Sequence, residues 1–437
     1  MFNKIQEIFS IPELKRRVLF TLGLLIVYRV GSHITTPGVD ASVLAEFFER
    51  QRGTILGLYD LFAGGNLEKA TIFALGIMPY ISASIILQLF QAVIPFFEKL
   101  AKEGEEGRKK ITQYTRYGTV VLSVVQGFGI AMFLENMTGP SGTSAVMFPG
   151  WGFRLLTVLT LTAGTIFVMW LGEQITERGI GNGISLIITI GIIARYPIDA
   201  LNTLRAVQLG QMTPFKLAIL LLAMVLITAG IIFVTQGQRR IPVQYAKRVV
   251  GRRVYGGQAS FIPLSVNIAG VIPIIFAQSL IMFPGTIAAF FQNVTFLQTI
   301  TLWLSPGHAV YIILYSLIII FFAYFYTAIV LNPVDLADNM KKSGGFIPGI
   351  RPGKRTAEYI DRILTRITLP GAVFLAFIAV LPDILITQAN VPFYFGGTGL
   401  LIVVGVMLDT LRQVESHLLM RHYEGFVKHG RLRGRRG

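Results

Sequence analysis

Long apolar runs separated by short polar or basic stretches recur from one end of the chain to the other. A bilayer core about 30 Å thick takes roughly 20 helical residues to cross. Ten runs approach or exceed that length: Val18 to Ile34, Ile72 to Phe96, Gly118 to Leu134, Leu155 to Leu171, Ile184 to Asn202, Phe215 to Thr235, Leu264 to Phe290, Val310 to Leu331, Ile367 to Ile386 and Phe393 to Leu411. Each predicts a transmembrane helix. An even count returns the chain to the side on which it began. One further apolar stretch, Ile55 to Lys69, is too short and too interrupted by Gly64 and Gly65 to span. It reads either as an interfacial or outer-face helix, or as a re-entrant element, which is tolerated at membrane depth only when buried in protein or lining a cavity.

Composition agrees with the pattern. The 437 residues are 53% hydrophobic and 14% charged, against about a quarter charged in an ordinary soluble chain. The first apolar run follows Lys15, Arg16 and Arg17, is long for a signal-peptide core and has no small-residue cleavage site after it, so it reads as an uncleaved span. The chain has no cysteine, which excludes disulfides and thiolate metal sites.

The distribution of charge orients the spans. Lys and Arg crowd into cytoplasmic loops, and 31 of the 39 fall in the N-terminus, the alternate loops and the tail. Both termini are therefore expected in the cytoplasm. Two of these loops carry more charge than topology requires. The run from Gly237 to Gln258 holds six basic residues and no acid, with alternating Val, Tyr and Ile that suit a strand pair, and the run from Lys341 is a basic turn punctuated by Gly and Pro. Both suit docking of a large anionic or acidic partner, with simple topology control as the alternative. The formal net charge of +16 also suggests anionic lipid or RNA as a partner.

The chemistry that other membrane proteins need is missing. Proton- or ion-coupled carriers place ionisable groups inside their spans. Here the interiors are almost free of them; Arg29 and Asp409 lie toward span ends, and Glu173 and Glu177 fall in the short loop after the fourth span. Gly353-Lys354 has no preceding Gly at P-loop spacing, and Arg355 follows it instead of Ser or Thr. The Gly179 to Gly183 run lacks a preceding strand and reads as a turn. The five histidines show no ligand pattern. No enzyme, metal site or cofactor is expected.

Several phrases then resemble one family. Gly76 to Ser84 (GIMPYISAS), Glu103 to Gly118 (EGEEGRKKITQYTRYG), Glu177 to Ser185 (ERGIGNGIS), Ala269 to Ala277 (AGVIPIIFA), Gly344 to Gly353 (GGFIPGIRPG) and Gly397 to Val406 (GTGLLIVVGV) are similar, in order, to bacterial SecY, the channel-forming subunit of the Sec protein translocase. The resemblance implies an all-α polytopic fold: ten transmembrane helices in two pseudo-symmetric five-helix halves, an inverted repeat around a central pore. On the chain this gives a cytoplasmic N-terminus at 1–17, an N-terminal half at 18–203, a C-terminal half at 204–411, basic cytoplasmic loops at 237–263 and 332–366, and a cytoplasmic tail at 412–437. By motif position the pore ring is Ile77, Ile81, Ile184, Ile188, Ile275 and Ile402. Residues four apart share a helix face, and a ring of branched aliphatics seals against ions by dewetting; without the motif match, ordinary helix packing is the better reading of these positions.

The segment at 55–69 becomes the plug, with Ile55, Leu58, Leu61, Phe62, Gly64, Gly65, Asn66 and Leu67. The lateral gate lies between the second and third spans and the seventh and eighth, with Ser82 and Phe283 as facing residues. Gln88, Gln126 and Gln278 are placed to hydrogen-bond across helices there, at about 1 kcal/mol each. Arg239, Arg240, Lys247, Arg248, Arg252, Arg253, Arg351, Lys354 and Arg355 become docking residues for ribosomal RNA or the SecA motor ATPase. Other implied partners are SecE- and SecG-like small membrane subunits, signal peptides and nascent chains, and anionic lipid. The expected function is passage of unfolded secretory polypeptides across the bacterial cytoplasmic membrane with lateral release of transmembrane segments into lipid. A small-solute secondary transporter and a non-conducting docking scaffold are the alternatives.

Overall fold

The computed structural model describes residues 11–50, 55–137, 144–210, 212–245, 248–250, 253–255, 259–290, 299, 302–389 and 397–429. Every expected span lies in its greater part on a helix. In chain order these elements are α1 (Pro12–Gly31), α2 (Ala41–Arg50), α3 (Ile55–Phe62), α4 (Met78–Val93), α5 (Pro95–Lys102), α6 (Glu105–Asn136), α7 (Trp151–Arg178), α8 (Gly183–Ile193), α9 (Tyr196–Gln208) and α10 (Pro214–Gln236). They continue with β1 (Gln238–Tyr245), β2 (Arg248–Val250), β3 (Arg253–Tyr255), β4 (Ala259–Ser265), α11 (Ile272–Phe290), α12 (Ala309–Val330), α13 (Pro333–Lys342), β5 (Gly345–Phe346), α14 (Lys354–Ala389) and α15 (Gly397–His429).

Among the described residues six helical stretches are long and apolar enough to cross a membrane, and α4 with α5, bent by 96°, makes a seventh. The bend has a local cause: Pro95 opens α5, and the residue before a proline is driven out of the helical region, so Ile94 sits at φ −99°, ψ 118°. The first span, α1, carries Lys15, Arg16, Arg17 and Arg29 near its ends, where long basic side chains reach polar surroundings at small cost. On α10 the large apolar side chains Phe215, Leu222, Val225, Leu226 and Phe233 are all exposed. A helix that is apolar on every side and left uncovered suits lipid as its solvent.

Three boundaries differ from those the hydropathy pattern predicts. The second span begins at Met78, because Ile72 to Ile77 form successive turns. Pro79 lies in the first turn of α4, where its missing N–H costs nothing. The seventh begins at Ile272 instead of Leu264, because Leu264 completes β4. The fifth is divided into α8 and α9 at Ala194 and Arg195.

The chain divides into two compact units, one comprising Met1–Leu201, Met282–Leu302 and Val406–Gly437, the other Asn202–Ile281 and Trp303–Gly405. In the first, α6 and α7 run antiparallel and are tied near both ends. Arg116 donates two hydrogen bonds to Glu173, at 2.9 and 2.8 Å. At the other end Arg154 Nε lies 2.7 Å from Glu135, whose second oxygen accepts from Gly150 N. Glu173, expected in a loop, is therefore within α7. The middle of α7 meets the turns before α4 so closely that a Cβ at Gly164 would collide with the Ile72 carbonyl oxygen.

In the second unit, α12 and α14 pack along each other beside a three-stranded sheet of order β4-β1-β5. A separate hairpin pairs β2 with β3. The sheet buries Ile241, Val243 and Leu264 against Met340 of α13, Ile347, and Ile360 and Leu364 of α14.

Replacing Gly164 with Val is expected to destabilise the first unit by about 1–3 kcal/mol, the usual cost of overpacking. Thermal unfolding in detergent measures this, and an unchanged midpoint would refute the close approach of α7 to Ile72.

Candidate functional site

Two regions collect the residues singled out in the sequence: an interrupted segment seated inside the first unit, and a basic platform on the second.

The interrupted segment starts as α3 and leaves it at Ala63 through Gly64 and Gly65, both at positive φ (78° and 76°). These values fall in the left-handed region, where a side chain is strained. Without helical repeats, the backbone N–H groups that follow find other partners. Gly65 N donates to Asp60 O, Thr71 N to Asn66 O, and Ile72 N to Ile34 O. Leu67 N and Glu68 N both donate to the Asp60 side chain, at 3.0 and 2.9 Å. Buried backbone amides left unpaired are costly, so the Asp60 carboxylate substitutes for the missing helical carbonyls.

The seat is built by α1, α7 and α8. Gly64 and Gly191 of α8 meet backbone to backbone; a Cβ on Gly64 would stand 2.9 Å from the Gly191 Cα. Asn66 donates to Tyr28 of α1 at 3.1 Å, and Tyr28 stacks on Phe73, which stacks in turn on Phe167 of α7. Leu61, Phe62, Asn66 and Leu67 are all buried. For Ile55 and Leu58 only the backbone, in α3, lies within the described structure.

The other free oxygen of Asp60 faces Arg195, immediately after α8. Arg195 Nη1 lies 2.7 Å from Asp60 Oδ2, and Nη2 lies 3.3 Å from Glu68 Oε2. This cluster was missed in the sequence, and a signal was available. Arg195 sits within the run predicted as the fifth span, and an ionisable residue inside a span calls for a named partner.

The four residues of the first unit expected in a pore ring are placed as follows. Ile81 is buried within α4, whereas Ile77 is the N-cap of that helix, its carbonyl accepting from Ile81 N. The premise that both lie within one helix is corrected by the turns that precede Met78. Ile184 and Ile188 are one turn apart on α8, with Ile188 buried and Ile184 half-buried. The Ile184 Cγ1 atom packs over Gly172 of α7. In the second unit Ile275, on α11, and Ile402, on α15, are buried.

Of the residues expected at a lateral gate, Ser82 is half-buried on α4 and Phe283 is exposed on α11. Gln88 spends its amide within its own helix, donating to Ser84 at 3.0 Å, instead of across helices. Gln126 Oε1 and Gln278 Nε2 are buried with no hydrogen-bond partner among the described residues. Each remains available for a polar contact that this arrangement does not make.

The basic platform joins what the sequence presented as two loops. β1 and β4 pair antiparallel from Gln238↔Ser265 to Gln244↔Ala259, and β5 adds to the other edge of β1 through Gln244↔Phe346 and Tyr245↔Gly345. Alternation along β1 turns Ile241 and Val243 inward and Arg240 outward; Arg239, on the same face as Ile241 near the start of the strand, is also exposed. The Arg240 guanidinium lies 4.7 Å from the Phe261 ring centroid, a contact that holds a cation in place without neutralising it. Arg248 and Arg253 are on the β2–β3 hairpin, of whose side chains nothing further is described; Lys247 and Arg252 lie outside the described residues.

Arg351 is exposed at the turn into α14, its carbonyl accepting from Thr356 Oγ1 at 3.0 Å. Lys354 and Arg355 open α14, and both are exposed. Cations at a helix N-terminus oppose its dipole, so helix stability does not account for them. No group of three or more His, Asp or Glu side chains suited to a metal ion occurs among the described residues.

A SecY family model matches residues 71–411. Protein translocase subunit SecY of Escherichia coli (strain K12) is 53% identical over 428 residues, covering 97% of this chain and 96% of that one. The protein of the same name from Thermus thermophilus is 47% identical over 440 residues, covering 100% of both, and that of Aquifex aeolicus is 46% identical over 429 residues, covering 98% and 100%. Among solved structures, one described as a protein conducting channel aligns with a TM-score of 0.65 at 16% identity, over 94% of this chain and 96% of that one. A SecY structure whose plug domain is described as stabilising the closed state aligns at 0.64 and 18%, with the same coverage. Canine Sec61, from a ribosome-channel complex, aligns at 0.61 and 16%, again over 94% and 96%.

If the two loops form one folding unit, Ile241→Ala should weaken both together, at about 2–5 kcal/mol for a buried Ile truncated to Ala. Limited trypsin digestion should then accelerate at sites in 237–263 and 332–366 alike. Faster cleavage confined to the first loop would contradict the joint platform.

Proposed function

This chain belongs to the SecY family and is a protein-translocation channel of the multi-pass membrane type, and from that premise we propose how its parts divide the work. Unfolded secretory polypeptides pass through it across the bacterial cytoplasmic membrane, and transmembrane segments leave sideways into lipid. Both termini lie in the cytoplasm, consistent with the basic residues gathered in alternate loops. The halves are 18–203 and 204–411, each contributing to a constriction lined by Ile77, Ile81, Ile184, Ile188, Ile275 and Ile402. Branched aliphatics suit that role because they exclude ions and bind no particular sequence.

The observation that carries this reading is the burial of a segment that cannot span. Residues 55–69 fold back into protein through two glycines, with the amides of Ala63, Gly64 and Gly65 supplied by local carbonyls and those of Leu67 and Glu68 by the Asp60 side chain. A docking scaffold has no use for such an insert. A solute carrier would want a charged or coordinating midplane site, and the charged cluster that is present is saturated by its own partners. In the proposal the insert is a plug, and it moves aside when a polypeptide enters. Ser82, Gln88, Gln126, Gln278 and Phe283 belong to the lateral gate, supported by two buried amide atoms, Gln126 Oε1 and Gln278 Nε2, that have no hydrogen-bond partner among the described residues.

The platform of Arg239, Arg240, Lys247, Arg248, Arg252, Arg253, Arg351, Lys354 and Arg355 docks a ribosome or a SecA-type motor ATPase, since the chain itself offers no energy-coupling motif. A solved relative is described in a ribosome-channel complex. SecE- and SecG-like subunits and anionic lipid complete the working assembly.

Two measurements test these assignments. In planar bilayers the chain with its small partner subunits should be silent, and a variant lacking Leu61 to Leu67 should conduct ions; silence of both, with partner binding intact, would shift the reading to a scaffold. Ribosome binding should weaken steeply with salt, as expected when phosphates release counterions, and Arg351→Ala should reduce either motor-driven export or ribosome binding. If neither changes, Arg351 is not a docking residue.

A further inference from the structure

We propose that Arg195 is a latch: its paired contacts with Asp60 and Glu68 hold the 55–69 segment in its seat, and their rupture releases that segment when the channel opens. The inference rests on the reading of 55–69 as a plug and names the interaction that keeps it shut.

The geometry is one-sided in a useful way. Asp60 is 1% exposed, whereas the side chains of Arg195 and Glu68 are 18% and 20% exposed. One oxygen of Asp60 accepts from Leu67 N and Glu68 N, inside its own segment. The other accepts from Arg195, beyond the end of α8. When the segment leaves, Asp60 takes two backbone donors with it and is not orphaned, while the partly exposed guanidinium turns to water. A buried pair is hard to break chiefly because breaking it strands a charge. Here neither partner is stranded, so the bond can act as a latch and need not be permanent.

The remaining contacts of the seat have a different character. The Gly64–Gly191 approach and the Phe73 stack carry no charge, and the bond from Asn66 to Tyr28 is a neutral one. The ion pairs of Arg195 join this segment to the end of α8. The guanidinium gives each acid its own nitrogen, whereas Lys would bring a single nitrogen on a flexible stem and hold the pair less well.

The test uses the whole chain with its small partner subunits, in planar bilayers, reading resting ion conductance without substrate and, separately, polypeptide transport. Arg195→Gln should raise the resting open probability at least about tenfold, the shift produced by about 1.4 kcal/mol, while transport continues. Arg195→Lys should give a smaller rise. In a background lacking Leu61 to Leu67, Arg195→Gln should add nothing, an epistasis that general loss of stability would not produce. If the deletion conducts and Arg195→Gln stays as silent as the unmodified protein, the latch is wrong and the plug stands; if the deletion itself is silent, the plug reading falls and takes the latch with it. Should Arg195→Gln fail to insert, Glu68→Gln, which removes the outer acid alone, should raise conductance several-fold, and its silence would refute the latch.

Discussion

The Asp60 carboxylate is the point on which the seat of the interrupted segment depends. A chain that leaves the helix while buried in protein must find acceptors for its amides, because an unpaired buried amide is costly. Asp60 supplies two and still presents an oxygen to Arg195. The same group that makes the irregular backbone tolerable also ties it to the end of α8. Local folding and attachment to the channel wall are thus one interaction seen from two sides.

Around that point the first unit is stiff where it needs to be. The antiparallel pair α6 and α7 is clamped near both ends by Arg–Glu contacts, and Gly164 lets α7 press against the turns that carry Ile72. By contrast, Gln88 donates to Ser84 within α4, and Gln126 is buried with its Oε1 unpartnered among the described residues. Rigid, charge-clamped contacts and incompletely satisfied polar ones lie within the same unit. A wall that must hold its shape while one part gives way has use for both.

The platform combines exposed basic charge with a defined framework. β1 turns Ile241 and Val243 into a core shared with α13 and α14, and by the same alternation turns Arg240 outward. Because β5 pairs with β1, the Arg351 turn follows directly from a strand of the same sheet. Basic residues from both loops therefore stand on one framework, and their spacing is set by backbone hydrogen bonds. Lys354 and Arg355 stand at the N-terminus of α14 against the preference of its dipole.

The sequence by itself determined the number of spans, their approximate limits and the sidedness of charge, because the length needed to cross lipid and the cost of moving basic groups across it are legible one residue at a time. The ordered motifs were legible too, and with them the family. What the tertiary structure alone decided were pairings between positions far apart in the chain. Asp60 with Arg195 is such a pairing, as is Gly64 against Gly191 and β1 against β5. It also moved Leu264 from a span into a strand and Ile77 from a helix to its cap. Hydropathy counts apolar residues without regard to the hydrogen bonds their backbone makes, so a buried strand end or a run of buried turns resembles the helix beside it until the partners are in place.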